Sequence, residues 1–256
     1  MVVVKNEVIK NDQEIAVMRE AGKINARVLK EVKALIEPGI TTKALDETAE
    51  EIIRSYGAIP TFKGYPGPYP FPATLTVSLN EEMVHGIPSG RTLKEGDIVS
   101  VDCGTTYRGY IGDSAFTAGV GEISLEADRL IQVTRESLYK GIEQMRDGNH
   151  VGDVSAAIQA YVEGNGFHVP RKYTGHGVGS KMHEPPQVPN FGVPGKGLQL
   201  KKGMTIAIEP MVLVGTPKTK VLSDKWTVIS EDRSLTAHYE HTIAITDKEP
   251  VILTRL

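Results

Sequence analysis

Cysteine is almost absent from this 256-residue chain, where Cys103 stands alone. No intrachain disulfide and no cysteine-built zinc finger can therefore form, which fits a reducing compartment. Neither sign of charge is in excess, since 29 basic residues face 32 acidic ones for a net −3. That balance gives no push toward nucleic acid or a membrane surface. Long hydrophobic runs are missing too. The opening Met1-Val2-Val3-Val4-Lys5-Asn6-Glu7 is apolar for only three residues after Met1, too short for a signal peptide. No run elsewhere could span a bilayer. A soluble cytoplasmic protein is the expectation. With 40% hydrophobic residues, a single domain over 1–256 is expected, burying roughly 70–75% of its unfolded surface.

What the chain does have is an acid pair on two strand patterns. Ile98, Val99 and Val101 are β-branched, so 97–103 reads as a strand. Tyr107-Arg108-Gly109 supplies a turn, and 110–119 reads as the returning strand. Paired this way, Asp102 and Asp113 come side by side. Two carboxylates aimed at one point repel unless a cation lies between them, and a divalent metal wants hard oxygen ligands. For one Asp alone, an exposed strand-end acid is the better reading.

Upstream, Asn11 can cap a helix with Glu14 as return partner. Ile15, Met18, Gly22, Val28, Leu29, Val32, Leu35 and Ile36 then follow at helical spacing up to Pro38-Gly39. Thr41 or Thr42 caps a second helix that Gly57 stops. Residues 64–72 hold four prolines and two glycines, which excludes helix and central strand. Their three aromatics set an ordered loop lining a pocket against a plain linker. A strand is expected at Thr74–Ser78, a short strand with a turn over Met83–Pro88, and helices at 124–146 and Val151–Gly164. A loop segment comes next, then strands at Thr205–Pro210, Trp226–Ile229 and Ala237–Ile245.

This order repeats. Leu45, Thr48, Ala49 and Ile53 match Val154, Ala157, Ile158 and Val162 at a shift of 109. Leu93-Lys94-Glu95-Gly96 followed by Val101-Asp102 matches Leu200-Lys201-Lys202-Gly203 followed by Ile208-Glu209 at a shift of 107. Asp102 thus pairs with Glu209, Asp113 corresponds in role to Glu240, and His85 has a looser counterpart in His183. Two such pieces, about 12–120 and 124–250, imply a pseudo-twofold α+β fold with its acids near the axis. Four acids in one cavity would be costly unless two divalent cations cancelled them. His176, between Gly175 and Gly177, is a fifth candidate; its glycines would let the backbone bend tightly and keep bulk away from the ring. Carboxylates with one His suit manganese, iron(II), cobalt or zinc, and a pair of such ions is suited to hydrolysis. His85 and His183 remain to hydrogen-bond a substrate or an oxyanion. His150, His168, His238 and His241 read as structural. Cys103, next to Asp102, faces the opposite side as core.

These motifs resemble the type I methionine aminopeptidases of the short bacterial kind. The resemblance is carried by Met83-Val84-His85-Gly86-Ile87-Pro88, Val101-Asp102-Cys103-Gly104, Gly112-Asp113, Gly175-His176-Gly177-Val178-Gly179, His183-Glu184-Pro185-Pro186-Gln187-Val188, Ile208-Glu209-Pro210-Met211 and Glu240-His241-Thr242. It covers nearly the whole chain, with spacings of 11, 63, 33 and 31 between successive ligand positions. It implies the "pita-bread" fold, a pseudo-symmetric antiparallel sheet backed by helices. It implies removal of the initiator methionine from nascent polypeptide N-termini when the second residue is small and uncharged, with the ribosome surface as a further partner. By resemblance Asp102 binds one metal, His176 and Glu209 the other, and Asp113 and Glu240 bridge them. A bridging water would attack the methionyl carbonyl, with Glu209 as proton shuttle. His183 would hydrogen-bond the carbonyl or tetrahedral oxygen, and His85 would contact the substrate near the scissile nitrogen. His176 to Glu209 is too short for the insertion of type II members, and a monomer is expected.

The methionine pocket departs from the family pattern. Thr76 stands where a Cys often does, Met182 where an aromatic often precedes the His, and the 64–72 loop is slightly long. Tyr65, Phe71, Thr76, Met182 and Trp226 are the candidate walls. A proline-specific peptidase of the same fold is the nearest rival, although such enzymes usually carry an extra N-terminal domain. A fold relative that binds protein or RNA would have lost metal ligands, and all five are present. A phosphoesterase would want an Arg or Lys among the ligands, and none is placed there.

Overall fold

The Glu14 amide donates to the Asn11 side chain (3.0 Å), and the Asn11 amide donates back to Glu14 (2.8 Å). This reciprocal cap starts α1 (Asp12–Ala34). The computed structural model describes residues 8–256, so the short apolar opening Val2–Val4 lies outside the described residues. Helix α1 ends a turn before Pro38-Gly39, leaving Leu35 and Ile36 beyond it. Thr41 then caps α2 (Thr42–Ser55) through the Ala44 amide.

Five strands follow: β1 (Ile59–Pro60), β2 (Leu75–Leu79), β3 (Glu82–Val84), β4 (Ile98–Tyr107) and β5 (Tyr110–Gly119). The second helical pair is α3 (Leu125–Glu143) and α4 (Val151–Gly164). The remaining strands are β6 (Thr174–Gly177), β7 (Glu184–Pro189), β8 (Thr205–Ile208), β9 (Met211–Leu213), β10 (Thr219–Val221), β11 (Val228–Ser230), β12 (Thr236–His238), β13 (Glu240–Ala244) and β14 (Val251–Ile252).

The main sheet runs β1-β4-β5-β13-β8-β6-β7, with β2 also on β4 and β14 also on β13. Its pairings are all antiparallel. One face packs on the helices. Val101, Cys103 and Phe116 join Val28, Leu45 and Ile53 of α1 and α2. Ile206, Ile208 and Ile243 join Leu130, Leu138 and Ile158 of α3 and α4. Cys103 is fully buried there, as alternation from Asp102 requires.

The two helical pairs meet the following chain through the same backbone bonds. Gly39 donates to Leu93 and Leu93 to Ile40; Gly148 donates to Leu200 and Leu200 to Asn149. Gly39 and Gly148 both take left-handed backbone (φ +97° and +90°), which suits glycine at a helix exit.

Three expectations are corrected. The segment after α4, expected as loop, contributes β6 and β7. Their glycines and prolines hide strand character that the sheet partners impose. The expected single strand Ala237–Ile245 breaks at Tyr239, so β12 pairs with β9 while β13 joins the main sheet. The strand placed at Trp226 begins only at Val228.

Candidate metal centre and substrate pocket

Sheet register gathers the acids. Asp102 on β4 lies opposite Ala115 on β5, and Ala115 lies opposite Glu240 on β13. Asp113, two residues from Ala115, shares that face. On the far side Ala207 of β8 faces both Thr242 and His176. Glu209, two residues past Ala207, therefore points the same way. The Thr242 hydroxyl accepts from the Asp113 amide (3.0 Å) and donates to the Asp113 carbonyl (2.8 Å), locking β5 beside β13. Behind them, Asn25 of α1 donates to the carbonyls of Cys103 and Gly112 and accepts from the Ser114 hydroxyl.

His176 has its tautomer set by its neighbour. Nδ1 lies 2.9 Å from the Gly177 carbonyl, which can only accept, so Nδ1 carries the proton. Nε2 then presents its lone pair toward Asp113 (3.7 Å) and Glu209 (3.5 Å). Burial, helped by His183, pushes the imidazole down to about 3, so it is neutral. The glycines beside it are not bent into the left-handed region. A Cβ on Gly175 would sit 2.5 Å from the Ala207 carbonyl oxygen, and one on Gly177 2.2 Å from that of Pro185. They are needed for close strand approach and not, as expected, for a tight bend.

Burial of the carboxylates outweighs the contacts that favour their ionised form, the Cys103 amide at Asp102 and Glu240 at Asp113. Burial raises Asp113 to about 7. Burial and the charge of Asp113 raise Asp102, Glu209 and Glu240 well above the carboxylate range. Asp102 Oδ1, Asp113 Oδ1 and Glu240 Oε1 are buried without any hydrogen-bond partner. Ligand atoms of Asp113, His176 and Glu240 lie within 4.8 Å of one another. Orphaned oxygens beside a free imidazole lone pair are a donor set that fits divalent cations.

All twelve site residues expected from the sequence line one cavity of about 140 Å³, together with Phe62, which was not anticipated. Thr76 is the direct strand partner of Asp102. Segment 64–72 is an ordered loop, closed by bonds from Gly64 to Phe71 and from Phe71 to Tyr65. It wraps Trp226, whose ring meets Phe71 (5.1 Å) and His85 (6.3 Å) edge-on. His85 follows β3 in left-handed backbone (φ +61°), uncommon for a residue with a Cβ. Tyr65 bonds His183 Nδ1 through its hydroxyl (2.6 Å). His238, expected to be structural, lies beside Glu209 and Glu240 at 3.8 Å from each. The signal was available: it precedes Glu240 by two residues and so shares its side of an extended chain.

The model of metallopeptidase family M24 matches residues 16–247. A methionine aminopeptidase of Clostridium acetobutylicum is 54% identical over 96% of this chain and 98% of its own length. The structure of a methionine aminopeptidase from Thermotoga maritima superposes with a TM-score of 0.95 at 47% identity, covering 97% of this chain and 99% of that one. An Xaa-Pro dipeptidase from Bacillus anthracis, at 22% identity and a TM-score of 0.77, shares the pita-bread fold alone. The chain belongs to metallopeptidase family M24 and is a hydrolase. Within that family it falls among the methionine aminopeptidases, which it matches end to end. No helix among the described residues is long and apolar enough to cross a membrane.

Proposed function

We propose that the cavity removes the N-terminal methionine of nascent polypeptides when the second residue is small and uncharged. The observation that carries this reading is the junction within one cavity of a carboxylate-rich, cation-seeking floor and an apolar wall of Phe71, Met182 and Trp226. Asp102 would hold one divalent cation, His176 and Glu209 a second, with Asp113 and Glu240 shared between them. Two such cations, when bound, supply Lewis acidity toward the methionyl carbonyl and a water acidic enough to attack it at neutral pH. Cobalt, manganese, iron(II) and zinc all suit these donors.

The apolar wall takes the methionine side chain, and Thr76 faces the cavity beside Asp102. Glu209 accepts the proton of the attacking water and passes it to the departing amine as the C–N bond breaks. The Tyr65 hydroxyl, given to His183 Nδ1, leaves the proton on Nε2, which can donate to the tetrahedral oxygen. His85, which lies beside Trp226, would contact the substrate near the scissile nitrogen. The working protein is a cytoplasmic monomer that meets nascent chains at the ribosome surface.

The test is methionine release from a Met-Ala-Ser peptide by metal-stripped protein, titrated separately with manganese, cobalt, iron(II) and zinc. One or two equivalents restoring release is the expected result. Cleavage of a Pro-containing peptide with Met-Ala-Ser left intact would overturn it. Asp113→Ala is expected to abolish turnover in a folded protein, because a shared ligand is lost. Near-normal turnover would defeat the two-cation reading.

A further inference from the structure

His238 takes no part in the reaction set out above, yet it is buried against its centre. It ends β12 and is 2% exposed. The Thr117 hydroxyl grips its backbone from both sides, accepting from its amide and donating to its carbonyl, each at 2.9 Å. The following residue is held as well: the Tyr239 amide donates to the Pro210 carbonyl and its hydroxyl to the Thr117 carbonyl (2.8 Å). The backbone from which the imidazole projects is therefore fixed beside the site.

Its Nε2 is buried and has no hydrogen-bond partner. It stands 3.8 Å from Glu209 Oε2 and 3.8 Å from Glu240 Oε2. Glu209 is thus flanked by two imidazoles, with Oε1 toward His176 (3.5 Å) and Oε2 toward His238. A buried ring nitrogen left without a partner is costly, and an apolar side chain would fill the same space without that cost. A separation of 3.8 Å is too long for a hydrogen bond, but a side-chain shift of under about 1 Å closes it.

We propose that His238 is a positioning residue of the metal centre, whose Nε2–H donates to the Glu209–Glu240 carboxylate pair and fixes which of their lone pairs face the cavity. The inference rests on the ligand roles proposed above for those two residues. A donor role is favoured over a ligand role by placement. All five candidate ligands line the cavity, whereas His238 is not among its lining residues and approaches the site through Glu209 Oε2 and Glu240 Oε2. A donor behind a ligating carboxylate holds its orientation and sets metal affinity.

The experiment is calorimetric titration of the metal-stripped full chain with cobalt(II), with the absorption spectrum of the cobalt-loaded protein recorded in parallel. His238→Leu is expected to weaken cobalt binding by about tenfold to a hundredfold and to change the spectrum. His238→Gln, which keeps an N–H of similar reach, is expected to return affinity to within about threefold and to restore the spectrum. His238→Met, a flexible apolar replacement, gives the same reading if the leucine variant does not fold. Wild-type affinity in the apolar variants would overturn the proposal. Failure of the glutamine variant to rescue would overturn the donor role. Asp113→Asn separates this inference from the reading beneath it. If it binds cobalt like wild type, the ligand assignment itself is wrong. If it loses cobalt while the apolar His238 variants do not, only the role of His238 is wrong.

Discussion

In the proposed reaction a single phenol, donating to Nδ1, sets which nitrogen of His183 acts. Burial raises the Tyr65 hydroxyl above its ordinary range, so it stays protonated and able to donate to Nδ1. Tyr65→Phe frees Nδ1 and lets the ring populate the tautomer with no proton on Nε2. The expected result is a fall in kcat of about fivefold, the equivalent of one neutral hydrogen bond near 1 kcal/mol, with KM and metal content little changed. Steady-state kinetics with metal analysis checks this, and an unchanged kcat would refute it. At this scale the sequence was informative where chemistry and local backbone coincide. Acid falling on acid in the repeat pointed to Asp102 and Glu209, and glycines drew attention to His176. Phe62 carried no such mark, and the 64–72 loop that encloses the pocket with it could be read as pocket wall or as linker. Only distant partners, Trp226 above all, make it a wall; a Cβ on Gly67 would already lie 2.4 Å from that ring.

Among the elements, β7 begins at a buried ion pair. Lys10, just before α1, meets Glu184 at 2.5 Å, with side chains 3% and 6% exposed. Glu184 also accepts from the Lys181 amide (3.2 Å), so the turn bearing Met182 and His183 is tied to the start of α1. Removing one partner leaves an uncompensated buried charge. Lys10→Met is expected to cost about 3–5 kcal/mol, measured by urea unfolding of the stripped protein. Combining Lys10→Met with Glu184→Met is expected to recover much of that loss, because neither charge is then stranded. A double variant as unstable as the single one would refute this account. Helices α1 to α4 were legible through caps, spacing and stops. The long hairpin β4–β5 was legible through its β-branched run. Strands β6 and β7 were not, since Gly175, Gly177, Pro185, Pro186 and Pro189 argue locally against a strand and only the neighbours β8 and β6 make them one.

At the scale of the whole molecule, the site makes stability depend jointly on pH and metal. In the stripped protein the carboxyls of Asp102, Asp113, Glu209 and Glu240 have raised pKa values, Asp113 to about 7. A raised carboxyl contributes stability at low pH that is lost as pH rises through its folded value. Bound cations hold the same groups ionised, so their binding must displace protons. The gap between the thermal midpoints of loaded and stripped protein is therefore expected to widen from pH 5.5 to pH 8. Buried His85 and His241, each lowered to about 4, act alike in both forms and largely cancel from the gap. Differential scanning calorimetry with and without manganese checks this; a gap independent of pH would contradict it.

The five ligand candidates come from β4, β5, β6, the end of β8 and the start of β13, spread between residues 102 and 240. A growing chain can lay down its first hairpin, with two acids in place, long before the partners that complete the set exist. On the proposed ligand assignment, a chain released before Glu240 carries most of the hydrophobic interior and lacks one of the groups that complete the centre. On that assignment, partial products of translation are expected to be inert, with no separate inhibitor required.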